Sequence, residues 1–260
     1  MRSACLLVIL TTGSAAQTPV SLKAVRVGHF LVLKDVFLNG AGPFRMAIDT
    51  GNASSLIRPE VARRLEASAV YAVEQVTAAG VRRLPVVLLD RVTTGALTER
   101  TVEAMVGDVR LDAVDGLLGQ SWLVRHDYLL DYRKNLVVLN ESPSDRGSVI
   151  ALHSADGRPS LSAKADGRPT ELILDSGTST VVLFDCTPQA RPKAALLTNG
   201  GSGKAEEATT RIALPGDRDR NMHAVCVSLP EQMPGLLPAS AFSTVFVSNR
   251  DGYVRLSRGR

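Results

Sequence analysis

Short apolar runs closed off by Gly, Pro, Asp or Asn recur along this 260-residue chain. Val25-Arg26-Val27, Phe30-Leu31-Val32-Leu33, Phe44-Arg45-Met46-Ala47-Ile48, Val86-Val87-Leu88-Leu89 and Leu136-Val137-Val138-Leu139 are too brief for helices. They predict β-strands. Residues 58–66 depart from this pattern. Pro59 stands at the first turn and Val61, Ala62 and Leu65 share one side, which predicts a helix. Residues 121–124 and 240–243 predict two shorter helical turns. The expectation is a mainly β chain with short helices. Residues 140–147, rich in polar turn formers, predict the join between two halves.

One pattern occurs twice. Ala47-Ile48-Asp49-Thr50-Gly51 and Ile173-Leu174-Asp175-Ser176-Gly177 each run from an apolar strand into a carboxylate, a hydroxyl and a glycine, 126 residues apart. A single copy has a plain reading: a strand ending in an Asx or Ser/Thr turn, with Gly relieving the backbone. The flanks add weight. The same offset aligns Pro43 with Pro169, Met46-Ala47-Ile48 with Leu172-Ile173-Leu174, and Leu56-Ile57 with Val182-Leu183. Further on, Gly116-Leu117-Leu118-Gly119-Gln120-Ser121 is echoed by Gly235-Leu236-Leu237-Pro238-Ala239-Ser240. Asp131-Tyr132-Arg133-Lys134-Asn135-Leu136-Val137-Val138-Leu139 is echoed by Ser248-Asn249-Arg250-Asp251-Gly252-Tyr253-Val254-Arg255-Leu256. Three ordered matches identify an internal duplication.

The strand-Asp-Thr-Gly element, the Asp115-Gly116-Leu117-Leu118-Gly119 segment and the Asp131-Tyr132-Arg133 turn resemble the retropepsin-like aspartic proteases of the pepsin superfamily, in their single-chain, two-lobed bacterial form. The resemblance implies two pseudo-symmetric acid-protease-like β-barrel lobes, residues 17–143 and 144–260. It implies an aspartic endopeptidase in which Asp49 and Asp175 form the catalytic pair and activate water. Thr50, Gly51, Ser176 and Gly177 would support the pair, the glycines through their amides and the hydroxyls by reaching to the opposite loop. The apolar-apolar-Gly segment would brace each aspartate, and Pro238 departs from that pattern by standing where Gly is usual. Ala79 and Gly80 in one half, and Gly200 and Gly201 in the other, fall where the family carries flaps over bound substrate; two ordinary loops are the alternative. The implied partner is an extended peptide or protein, bound by a monomer with an intramolecular pseudo-dimer. A catalytically inactive peptide-binding module with the same fold is the rival reading, and a two-carboxylate glycosidase is a third.

Composition bears on the address. Arg2, the run Ala4-Cys5-Leu6-Leu7-Val8-Ile9-Leu10 and Ser14-Ala15-Ala16 predict a signal peptide over residues 1–16; a buried N-terminal strand is the alternative. The apolar run is too short to span a bilayer, so stable membrane insertion is not expected. Export to the periplasm or the exterior follows. Cleavage would leave Cys186 and Cys226 as a candidate disulfide in an oxidising compartment, against the alternative of two buried thiols. The net charge of +4 comes from scattered basic residues, and aromatics make up only 4%, so a nucleic-acid platform has little support. His29, His126, His153 and His223 are isolated, no Gly-x-Ser-x-Gly elbow is present, and the 200–204 stretch lacks a phosphate-loop pattern. Asp108, Asp112 and Asp115 do not follow calcium-loop spacing. No metal or cofactor is expected.

Overall fold

A computed structural model describes residues 18–77, 80–142, 147–184, 193–198, 201–227 and 233–258. The signal segment, Ala79, Cys186, Gly200 and the start of the expected second lobe at residue 144 lie outside the described residues.

The first half opens with three antiparallel strands, Val20–Val27, Phe30–Leu38 and Ala41–Ile48. Asn39 and Gly40, both at positive φ, make the two-residue turn between the second and third, the Asn-Gly pair suited to a tight hairpin. Ala41–Ile48 then pairs in parallel with Gly116–Leu118, Ile48 opposite Leu118, and Gly116–Leu118 pairs antiparallel to Ser55–Ile57. Met46, Ala47 and Ile48 are buried in succession. An unbroken apolar run is what a strand covered on both faces requires.

The second half repeats this arrangement. His153–Ala155, Arg158–Ala165 and Arg168–Asp175 form the same antiparallel run. Arg168–Asp175 pairs in parallel with Gly235–Pro238, Leu174 opposite Leu237 and Asp175 opposite Pro238. Val181–Leu183 takes the place of Ser55–Ile57.

The expected helix is Pro59–Arg64, with proline at the first helical position and Val61 and Ala62 buried. It is shorter than residues 58–66 because Leu65 serves as its cap and Glu66 turns to positive φ. The two short turns are a helix at Gln120–Leu123 and a 3-10 turn at Ala239–Ala241. Two long hairpins, Tyr71–Thr77 with Gly80–Thr94 and Lys193–Thr198 with Gly201–Ala213, occupy corresponding places in the two halves.

The halves do not stand as separately closed units. Strands Tyr128–Asp131 and Leu136–Leu139 of the first half lie beside Thr244–Ser248 and Tyr253–Ser257 of the second, with Tyr128 opposite Val247 and Asp131 opposite Thr244. Ser148–Ala151 adds to one side and Val20–Val27 to the other, so both halves contribute to a 13-stranded sheet, beside a second sheet of eight strands. Pairing the two hairpins satisfies backbone edges that would otherwise be open. One buried cluster runs through both halves, with Trp122, Tyr128 and Leu130 among its members from the first and Leu174, Val247 and Val254 from the second.

Candidate active site

The two Asp-hydroxyl-Gly turns meet at the junction of the halves. Each aspartate sits where a buried strand ends: Asp49 just after Ala41–Ile48, Asp175 as the last residue of Arg168–Asp175. Both are buried, at 6% and 7% exposure. The Asp49 amide donates to the Leu118 carbonyl at 3.0 Å, which fixes the loop on the apolar-apolar segment beside it.

Four hydrogen bonds tie the loops together crosswise. The Thr50 hydroxyl donates to the Leu174 carbonyl at 2.7 Å and accepts from the Ser176 amide at 2.9 Å. The Ser176 hydroxyl donates to the Ile48 carbonyl at 2.8 Å and accepts from the Thr50 amide at 3.0 Å. Every donor and acceptor in this ring is buried and used, so the two strand ends are fixed relative to one another. Ser in place of Thr forfeits none of these bonds.

The glycines fit against the opposite carboxylates. A Cβ at Gly51 would stand 2.3 Å from the Asp175 carboxyl carbon, and one at Gly177 would stand 2.6 Å from Asp49 Oδ1. No side chain fits there. The same glycines donate amides to their own aspartates, Gly51 to Asp49 Oδ1 at 3.2 Å and Gly177 to Asp175 Oδ1 at 2.6 Å.

The two carboxyls close on one point, a Cβ at Gly177 lying 2.6 Å from Asp49 Oδ1 and 3.0 Å from Asp175 Oδ1, and this closeness shapes their titration. Burial pushes Asp49 well above the usual carboxylate range, and the neighbouring Asp175 charge pushes it further. Burial also raises Asp175, to about 6; the Gly177 amide, the hydrogen bond from Asp49 and the Arg158 charge hold it below its partner. Two carboxylates this close cannot both ionise cheaply, so the pair retains one proton where isolated aspartates would be bare.

Gly119 shows how the first loop is braced. Its amide donates to Ser55 Oγ at 3.2 Å, and a Cβ on it would meet the Ser54 and Asn52 carbonyls at 2.3 and 2.7 Å. In the second half Pro238 occupies this position and Val181 the position of Ser55. Proline brings no amide and valine no acceptor, so donor and acceptor disappear together and no polar atom is stranded. Pro238 still holds its parallel register with Asp175.

Of the expected flap residues, Gly80 pairs with Thr77 and Gly201 with Thr198, each at the tip of a long hairpin. Residues 201–204 belong to a strand rather than a loop. Cys226, the described member of the candidate disulfide, is buried at the end of Arg220–Cys226.

The match to known proteins agrees with this geometry. Residues 34–125 match the family described as "gag-polyprotein putative aspartyl protease", a span that contains Asp49 and ends before Asp175. An aspartic proteinase from Irpex lacteus aligns with 93% of this chain and 97% of its own, at 12% identity and a TM-score of 0.59. By fold, the chain is similar to this aspartic proteinase. A retropepsin-like aspartic protease from Rickettsia conorii aligns with 47% of this chain and 89% of its own, at 23% identity and a TM-score of 0.38. No curated protein matches the sequence.

Three residues beside the aspartate pair stand outside the two Asp-hydroxyl-Gly turns. Gln120 is buried and its Nε2 donates to the Thr50 carbonyl at 2.8 Å; Ala239 stands in the corresponding place of the second half, so only the first loop has this tether. His29 stands at the first hairpin tip with its Nε2 buried and, among the described residues, unpartnered; burial lowers its pKa, against an opposing pull from the Gly177 backbone. Arg158 begins the strand that runs beside Asp175. The 126-residue offset of the repeat sets it on Val32; strand register, which sequence spacing does not reveal, sets it on Phe30.

Proposed function

We propose that this protein is an aspartic endopeptidase that hydrolyses peptide bonds with water activated between Asp49 and Asp175. The observation that carries the reading is the crosswise locking of the two loops by Thr50 and Ser176, which sets two buried carboxyls against each other. A pair holding one proton has both parts of an acid–base mechanism. The ionised oxygen takes a proton from water as that water attacks the peptide carbonyl; the protonated carboxyl donates to the carbonyl oxygen as the tetrahedral intermediate forms. Collapse of that intermediate expels the amine, with the proton returned to it. Aspartic proteases are the standard instance of this pairing, so the chemistry is taken from that general case and the geometry from this chain.

The substrate in this reading is an extended peptide, lying across the two loops beneath the hairpins tipped by Gly80 and Gly201. A strand-like ligand pairs its backbone and offers alternate side chains to pockets. We further propose export with removal of residues 1–16, a Cys186–Cys226 disulfide within the second half, lobes divided near residue 143, and a monomeric working form. Among the described residues no helix is long and apolar enough to cross a membrane.

The test is digestion of a mixed peptide library by the protein with residues 1–16 removed, from pH 4 to 8, beside Asp49→Asn and Asp175→Asn. The reading expects cleavage by the intact protein and at least a thousandfold loss in each variant. Binding of peptides without cleavage by the intact protein contradicts it.

A further inference from the structure

The paired aspartates are nearly symmetric, but their surroundings are not. In the first half Val32 lies opposite Ala47, and continuing that antiparallel register brings Phe30 across from Asp49. In the second half Ser160 lies opposite Ile173, and the same continuation brings Arg158 across from Asp175. Each follows a two-residue turn, Val27 pairing Phe30 and Ala155 pairing Arg158. One flank of the site therefore carries an aromatic ring and the other a guanidinium. We propose that Arg158 is a substrate-selecting residue whose guanidinium takes an acidic side chain of the bound peptide.

Three observations support the assignment, which rests on the reading of the cleft as a peptide-binding site. First, the register that sets Arg158 across from Asp175 brings its positive charge near both carboxyls, where it favours the ionised form of each. Second, its side chain is 15% exposed, placing the charge in partly desolvated surroundings where a charge-assisted bond gains strength.

Third, its existing commitments are light. Nε donates to the Ala155 carbonyl at 3.2 Å and one terminal nitrogen to Asp156 at 3.2 Å, a partner that is 86% exposed. A pair with so exposed a carboxylate contributes little. A guanidinium has five N–H donors in a planar fork, and among the described residues no other bond occupies them. An incoming carboxylate exchanges Asp156 for a bidentate partner. Without this cation an acidic side chain would meet only the negative charge of the dyad; with it, a basic side chain is the one repelled.

The experiment uses a nested peptide set in which a parent sequence carries Glu, Gln or Lys in turn at each position. Binding is read by fluorescence anisotropy and cleavage as kcat/KM, for intact protein, Arg158→Met, Arg158→Lys and Arg158→Glu. The inference expects a preference for Glu over Gln of about tenfold or more at one position, read mainly in KM. That preference should vanish in Arg158→Met, persist in part in Arg158→Lys, and turn toward Lys in Arg158→Glu. Cleavage with no acidic preference, or a preference that survives in Arg158→Met, overturns the inference and leaves the hydrolase reading intact. Acid-selective binding that depends on Arg158 but leads to no cleavage upholds the inference and removes the hydrolase reading. Absence of binding and cleavage for every peptide overturns both.

Discussion

Gly51 and Gly177 each lie so close to the opposite carboxyl that even one methyl has no room. Gly51→Ala should separate the carboxyls or the loops. We expect about 2 kcal/mol or more of lost stability, on the scale of overpacking a tight interior, and loss of most peptide hydrolysis. Chemical unfolding and a peptide cleavage assay read the two effects separately. The aspartates carry a stability cost of their own. Both hold their proton more tightly in the folded chain than in the unfolded one. The folded state gains from this below the unfolded carboxylate range and loses the gain as pH rises through the folded values, through about 6 for Asp175. Asp175→Asn should therefore grow more stable than the intact protein between pH 4 and 7. The gap should reach on the order of 2–3 kcal/mol at one pKa unit per 1.36 kcal/mol, as read by denaturant midpoints across that range. The same shifts predict that hydrolysis falls on the acid side as pH drops below about 6, where the ionised member of the pair takes up its proton.

At the scale of elements, the two aspartate-bearing strands rest on unlike supports. Ser55 serves the Gly119 amide in the first half; Val181 beside Pro238 needs no such service in the second. Ser55→Val should cost about 1–3 kcal/mol by stranding a buried donor. Pro238→Gly should also destabilise, since it introduces an amide with no acceptor, and Val181→Ser added to it should recover part of the loss. A double-mutant cycle by thermal unfolding measures that coupling. These elements also show what the sequence could convey. The Asp-hydroxyl-Gly turns, the apolar-apolar segments and their order were legible because a duplication repeats its spacing. Pro238 stood out as a departure, but its match to Val181 was hidden, because it depends on which residues face each other across three strands. Arg158 was hidden for the same reason: no local pattern marks a residue as standing opposite Asp175, and only strand register does so.

At the scale of the molecule, the expectation of a mainly β chain with two pseudo-symmetric lobes did not say that both halves share one sheet. Nothing local in Tyr128–Asp131 or Thr244–Ser248 says that they pair with one another; short alternating strands specify a face to bury and leave the partner open. The consequence is mechanical. The sheet that joins the halves lies in the same body as the crosswise bonds between Thr50 and Ser176, so the relative placement of the two carboxyls depends on both. Removing residues 253–260 deletes Tyr253–Ser257 from the shared sheet and strips Ser148–Ala151 of its partner. Both halves should then lose stability together. The intact chain should unfold in a single calorimetric transition, whereas independent lobes would give two.

The claim on which the rest depends is that Asp49 and Asp175 share one proton. Carbon-13 labelling of the aspartate carboxyls, with each signal assigned through its Asn variant, follows that proton directly by NMR from pH 3 to 9. The account predicts two coupled steps, one near 6 and one higher, with the Asp49 signal moving toward the ordinary range in Asp175→Asn. Two independent titrations near 4, each unchanged when the other aspartate is replaced, would contradict it.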